Sequence, residues 1–205
     1  MYSKRSSLII GFHGCEKDTR DRLVNENSLF KKSENKYDWL GHGLYFWDND
    51  YDRALSFAKF KKEHPEKGKK PIKNPSVLGA IINLGFCLDL VNSTSLGLLK
   101  VGYNILVENM KKYDLELPKN RSLKETNEFV FRHLDCAVIE TLHTNRETNN
   151  LAPFDSVRGV FWEGDYLWAN AGFRDKNHIQ ICIRNPNCIK GFFIPREADP
   201  IFSTP

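Results

Sequence analysis

No apolar run in this chain approaches the roughly 20 residues that span a bilayer. The first residues, MYSKRSS, lead into a strand-like segment and not into the apolar stretch of a signal peptide. A cytoplasmic protein without a membrane partner is therefore expected. Cysteine is sparse: Cys15, Cys87, Cys136, Cys182 and Cys188 are scattered, odd in number and free of any CxxC pair, which excludes a disulfide framework and a zinc knuckle as working readings. The six histidines show no HExxH or comparable spacing, so no metal is expected. Neither GxGxxG after a strand nor GxxxxGK[ST] occurs, which removes the Rossmann and P-loop phosphate cradles. Internal repeats and low-complexity stretches are also missing.

What is present suits one compact domain over residues 1–205. Hydrophobic residues make up 40% and charged residues 27%, too apolar a mixture for disorder. The formal net charge of +4 is unevenly spread. The segment KFKKEHPEKGKKPIK, Lys59 to Lys73, carries seven lysines against two glutamates and reads as an exposed loop, either simply solvated or able to meet phosphates.

Apolar and amphipathic stretches alternate along the chain. LIIGFHG, GLYFW, SVLGAIINLG and FCLDL read as strands, KDTRDRLVN and YDRALSFAKF as helices, with Asn49 or Asp50 capping the second. In the middle, SLGLLKVGYNILVENMKKY and LKETNEFVFRHLDCAVIETLHTN repeat apolar residues at helical spacing, Phe129, Leu134, Val138 and Leu142 among them. SVRGVFW, HIQICIR and CIKGFFI return to strands. Strands at both ends enclosing helices predict an α+β fold whose sheet draws on both ends of the chain.

Two short stretches carry chemistry. GFHGC, residues 11–15, delivers His13 between glycines at the end of an apolar strand, and the flanking glycines let a ligand come close to the main chain. His13 reads either as a packed histidine or as a ligand contact. In WLGHGLYFWDND, residues 39–50, Tyr45 and Phe46 point to opposite faces of a strand, and Gly43 leaves room beside Tyr45 for a flat ligand. Read alone, this stretch is equally a turn into a core strand. His13 and Cys15 share a strand face, so a Cys–His nucleophilic pair is a weaker alternative.

A strand ending FHG, then GHGLYF, then a helix containing RALSFA resembles the ADP-ribosyltransferase superfamily, in its diphtheria-toxin and poly(ADP-ribose) polymerase branch. The resemblance implies a split β-sheet core with flanking helices and NAD as the donor substrate. By the same resemblance His13 would bond the adenosine-side ribose, Gly14 would grip the nicotinamide amide, Tyr45 would stack on the nicotinamide ring and Phe57 would cover its second face. The family places a glutamate on a late strand. Here HIQICIR offers Gln180, which can hydrogen-bond a ribose hydroxyl but brings no charge to an oxocarbenium-like transition state. Losing such a contact costs on the order of 3 kcal/mol, about a hundredfold in rate. Glu163 in VFWEGD is the nearest alternative carboxylate, with a solvent-facing turn residue as its other reading. Arg158 in SVRGVF serves either a pyrophosphate or an internal ion pair.

The chain is also similar, nearly end to end, to an uncharacterised bacterial group of single-domain proteins sharing GFHG, DWLGHGLYFW, LDCAVI, FDSVRGVFWEG and HIQICIRNPNCIKGFF. The family resemblance implies single transfer of ADP-ribose to a macromolecule, in the manner of a toxin or phage-defence effector, with an antitoxin or inhibitor protein as a further partner. The lysine-rich segment favours a nucleic-acid acceptor, and Trp39, Trp47, Trp162 and Trp168 would stack bases where exposed. A protein acceptor, an NAD glycohydrolase, an inactive NAD-binding or ADP-ribose-binding module and RNA 2′-phosphotransfer remain as alternatives.

Overall fold

The computed structural model describes residues 8–26, 30–66, 70–122 and 129–202. Its elements run β1 (Ile9–Glu16), α1 (Lys17–Asn25), β2 (Leu44–Asp48), α2 (Tyr51–Glu63), β3 (Pro75–Ile82), β4 (Cys87–Asp89), α3 (Ser93–Lys112), β5 (Arg121–Ser122), β6 (Phe129–Phe131), α4 (His133–Thr148), β7 (Ser156–Phe161), β8 (His178–Ile183) and β9 (Ile189–Phe193). The α+β expectation holds. Seven strands form one sheet in the order β4-β7-β8-β2-β1-β3-β9, antiparallel except for the β4–β7 pair.

Helix boundaries follow capping chemistry. The Asp50 side chain accepts from the Arg53 amide at 2.9 Å and starts α2, and Asn92 accepts from the Thr94 amide at 2.8 Å to start α3. The α4 N-terminus is capped from outside, by Asn120 Oδ1 accepting from the Leu134 amide at 2.9 Å. The helical reading of 123–145 needs correction at its start. Residues 123–128 lie outside the described residues, and Phe129 is exposed on β6, which pairs with β5. Helix begins only at His133, with Val138 and Leu142 buried as the periodicity requires.

Strand alternation divides the side chains between two apolar layers. Phe12, Gly14, Tyr45, Trp47, Gln180 and Cys182 share one face by register and alternation. Ala54 of α2 packs with Trp47 there, and Ile139 and Leu142 of α4 pack with Cys182, with Tyr45 against that cluster. Gly11, His13, Cys15, Phe46 and Ile181 occupy the other face, where Leu23 of α1 joins Cys15 and Leu78. Phe46, Ile181 and Ile183 are fully buried, each worth about 1.5–3 kcal/mol. α3 lies outside α4: a Cβ on Gly102 would come 3.1 Å from the Val138 carbonyl oxygen, so the two helix backbones approach closely. Leu98 of α3 is exposed, although helical spacing sets it among the apolar residues of SLGLLKVGYNILVENMKKY.

The central pairing of the sheet is its shortest antiparallel one. β1 and β3 are registered over eight positions and β2 and β8 over four, but β1 and β2 meet at only two, Gly11↔Asp48 and Phe12↔Trp47. Beyond Phe12 the two central strands part.

Candidate functional site

Where β1 and β2 part, His13 spans the gap: its Nδ1 lies 2.8 Å from the Tyr45 carbonyl oxygen, so Nδ1–H donates to the main chain of β2. Burial lowers the His13 pKa, partly countered by that bond, and favours the neutral ring. The imidazole sits against Phe30 and Phe46, with ring centroids 4.8 and 6.1 Å away. The half-buried Tyr45 ring is on the opposite face, its hydroxyl donating to the Gly41 carbonyl at 2.6 Å and accepting from the Leu40 amide at 2.8 Å. His13 and Tyr45 therefore meet through backbone, and their rings do not face each other. Cys15 shares the His13 face, as its spacing requires, but burial pushes its thiol up to about 11, which makes it a poor nucleophile at neutral pH.

Gly14 is fixed by packing. A Cβ there would fall inside contact distance of the Ala54 carbonyl oxygen and 3.2 Å from the Ala58 nitrogen, so α2 lies directly on the strand at the parting. Gly43 has a different reason from the one its sequence context suggests. The space beside it is filled, since a Cβ would come 2.5 Å from Cys182 Sγ and 2.6 Å from the Ile183 carbonyl oxygen, and so it serves close packing of the 41–43 loop on β8. Phe57 projects from α2 onto Trp47, with centroids 5.0 Å apart, and not onto Tyr45.

Gln180, half-buried, sits opposite Trp47 on β2 and opposite Gly159 on β7, which puts its side chain on the Tyr45 and Trp47 face under α2. Glu163 lies in the loop after β7 and accepts from Arg53 Nη2 of α2 at 2.7 Å; its carboxylate is 3.7 Å from His178 Nδ1. Arg158 resolves to the internal reading. Its guanidinium is buried on the His13 face, with Nη2 2.9 Å and Nε 3.0 Å from Asp48 Oδ2 and Nη1 3.3 Å from Asp89 Oδ1. That pairing ties the edge strand β4 to β2 through β7 and leaves the side chain no role as a pyrophosphate clamp.

Sequence reasoning passed over Arg53 and His178, which stand beside Glu163. Trp47, Arg53 and His178 lie on the same face, and Trp47 Nε1, Arg53 Nε and His178 Nε2 are buried without a hydrogen-bond partner. Such groups cost free energy unless something satisfies them. The His178 side chain has 0% exposure, and burial lowers its pKa despite the hydrogen bond from Nδ1 to the Lys176 carbonyl. The ring is neutral at pH 7, with Nε2 as a bare acceptor. The available signal was position, since His178 is two residues before Gln180 on one strand and so points the same way. On the other side of Tyr45, Arg184 donates to Glu140 at 2.6 and 3.2 Å, and Glu140 accepts from the His42 amide at 2.8 Å. Burial would raise the Glu140 carboxyl, but the Arg184 guanidinium and the amide outweigh it and hold the group ionised, which fixes the loop before β2.

Among the described residues no group of three or more His, Cys, Asp or Glu side chains could hold a metal ion, and no helix is long and apolar enough to cross a membrane. No family model matches the chain, and no solved structure matches it. It is similar to an uncharacterised protein of Methanocaldococcus jannaschii, 22% identical over 193 residues that cover 87% of this chain and 83% of that one.

Proposed function

We propose that this protein is an NAD-dependent mono-ADP-ribosyltransferase acting on a macromolecular acceptor. The observation that carries the reading is the parting of β1 and β2 after two registered positions, bridged by the His13 to Tyr45 hydrogen bond. Past Phe12, no strand is registered against the β1 edge that faces β2. Tyr45, Trp47 and Gln180 share the adjoining face, where three buried polar atoms lack partners. A nucleotide-sized polar substrate satisfies such atoms.

In this reading His13 organises the gap by holding the Tyr45 backbone, Gly14 receives the nicotinamide amide and Tyr45 supplies a ring face. Gln180 bonds a ribose hydroxyl. The C1′–N bond of NAD breaks with its electron pair going to the nicotinamide nitrogen, the acceptor nucleophile bonds to C1′, and the acceptor proton leaves to His178 or water. Glu163 holds Arg53 and flanks His178, which makes it a positioning residue.

The test is nicotinamide release and label transfer from NAD labelled in its adenylate moiety, in cell extract treated with nuclease or protease. Gln180→Ala is expected to reduce release about tenfold to a hundredfold, and Gln180→Glu to retain it or raise it. A wild-type protein that neither binds NAD nor releases nicotinamide would refute the proposal. Binding without release would instead identify an NAD-binding module, and release without labelled macromolecule an NAD glycohydrolase.

A further inference from the structure

Between β7 and β8 the chain makes an ordered hairpin with an unusual surface. Lys176 donates its amide to the Glu163 carbonyl at 3.1 Å, Asp175 to Asp165 at 3.0 Å and Leu167 to Phe173 at 3.2 Å, while the Asp175 carboxylate accepts from the Asp165 amide at 2.8 Å. Gly164 turns the chain at φ +89°. This backbone holds four aromatic rings out in solvent: Trp162 is 67% exposed, Tyr166 60%, Trp168 59% and Phe173 62%, with Leu167 at 54% between them. Scattered single apolar residues on a surface are ordinary, but a hairpin that holds several of them out together marks a contact surface.

The hairpin base is fastened to the start of α2 by the Arg53–Glu163 ion pair. From there the outer side of α2 forms a shallow depression lined by Asp52, Leu55, Ser56, Lys59, Phe60 and Glu63. A helix of 13 residues is about 20 Å long. At its far end begins the lysine-rich stretch, where Lys59, Lys62, Lys70 and Lys73 are exposed; Lys67 and Lys69 lie outside the described residues. Flat rings at one end of a helix and a concentration of positive charge at the other match a polymer that alternates flat bases with phosphates.

We infer that the 162–176 hairpin and the lysine-rich end of α2 bind a single-stranded nucleic acid, the rings stacking on unpaired bases and the lysines meeting the backbone. Every base has a π-face, so the rings give affinity with little sequence preference, while the lysines make binding sensitive to salt. The inference deepens the transferase reading by naming the acceptor class, and it rests on that reading only for the chemistry, since the binding surface stands without it.

The experiment is fluorescence anisotropy of labelled 12-nucleotide unstructured RNA and DNA strands in the absence of NAD, titrated with wild-type protein, Trp168→Ala, Phe173→Ala and a Lys59→Gln/Lys62→Gln variant. Wild type is expected to bind one or both strands at low salt. Log affinity should fall against log salt with a slope of about −2 to −3 if three or four phosphates are met. Loss of either ring should weaken binding about 5- to 150-fold, and loss of the two lysines should flatten the salt slope. Nicotinamide release in buffer alone and thermal melting check that each variant is folded. A wild type that binds neither strand at low salt, or variants that bind as wild type does, would overturn the inference. Labelling of a protein acceptor that depends on Trp168 and Phe173 would overturn it in favour of a protein partner. Nucleic-acid binding by a protein that leaves NAD intact would refute only the transferase reading.

Discussion

Replacing Gly14 by alanine tests the site at its tightest point. The added methyl group would meet main-chain atoms, with the Ala54 carbonyl carbon 3.1 Å and the Ala58 nitrogen 3.2 Å away and the Ala54 oxygen nearer still, so no side-chain rotation relieves it. α2 must lift from the strand. Overpacking of this kind costs about 1–3 kcal/mol, which for a chain of 205 residues lowers the melting temperature by about 2–7 °C. The lift also moves Ala54, buried beside Trp47, and Arg53 with it. Nicotinamide release should therefore fall by more than the loss of folded protein explains. Gly97→Ala in the exposed first turns of α3 is the matched control: nothing lies within 4 Å of its Cβ, and helix propensity gives a gain of about 0.5–1 kcal/mol. Calorimetry on both variants, with release assayed well below either transition, decides the matter. A Gly14→Ala protein that melts with wild type and releases nicotinamide normally would refute the claim that α2 is seated on the parted strands.

Arg158→Met removes the cation between Asp48 and Asp89 and should cost about 3–5 kcal/mol by chemical denaturation; Arg158→Met with Asp48→Asn should recover part of that, and no recovery would show that packing alone was lost. His143, on α4 and facing Arg184, Glu140 and Arg146, has its pKa lowered to about 4, chiefly by burial. Because the unfolded chain takes up this proton near pH 6.5 and the folded one does not, stability should decline by up to about 3 kcal/mol as pH falls from 6.5 to 4. The decline should be smaller in His143→Leu, and an identical pH profile for both proteins would exclude His143 as its source. Tyr45→Phe deletes the hydroxyl that joins the Leu40 amide and the Gly41 carbonyl, leaving a polar amide unmet, and should cost about 1–3 kcal/mol by denaturant titration; a neutral result would show the 40–43 loop held by other contacts.

Local features were legible in the amino-acid sequence because local physics makes them. Alternation marked β1 and β2, and a carboxylate ahead of YDRALSFAKF marked the start of α2. Neighbourhood was not legible. SVLGAIINLG and FCLDL are nearly contiguous, yet β3 lies beside β1 and β9 while β4 forms the opposite edge beside β7, since a period of two names a face and says nothing of the adjoining strand. The same limit hid the fate of Arg158, whose partners lie 110 and 69 residues away. Gly43 and Phe57 misled because room beside a glycine, or an accessible ring, depends on β8 and on Trp47. Gln180 was found by its strand, while His178 went unread although it stands on that strand and faces the same way.

The strand order also governs when the sheet can close. β2 must wait for β8 and β3 for β9, so both pairings join early and late portions of the chain, as does the Arg184 contact with the His42 carbonyl across 142 residues. During synthesis the early strands emerge with their partners still untranslated, and such non-local pairing folds slowly. The seven-stranded sheet is complete only when its last strands are made. A molecule cut short before residue 178 would lack β8 and β9, and with them the later sheet partners of β2 and β3.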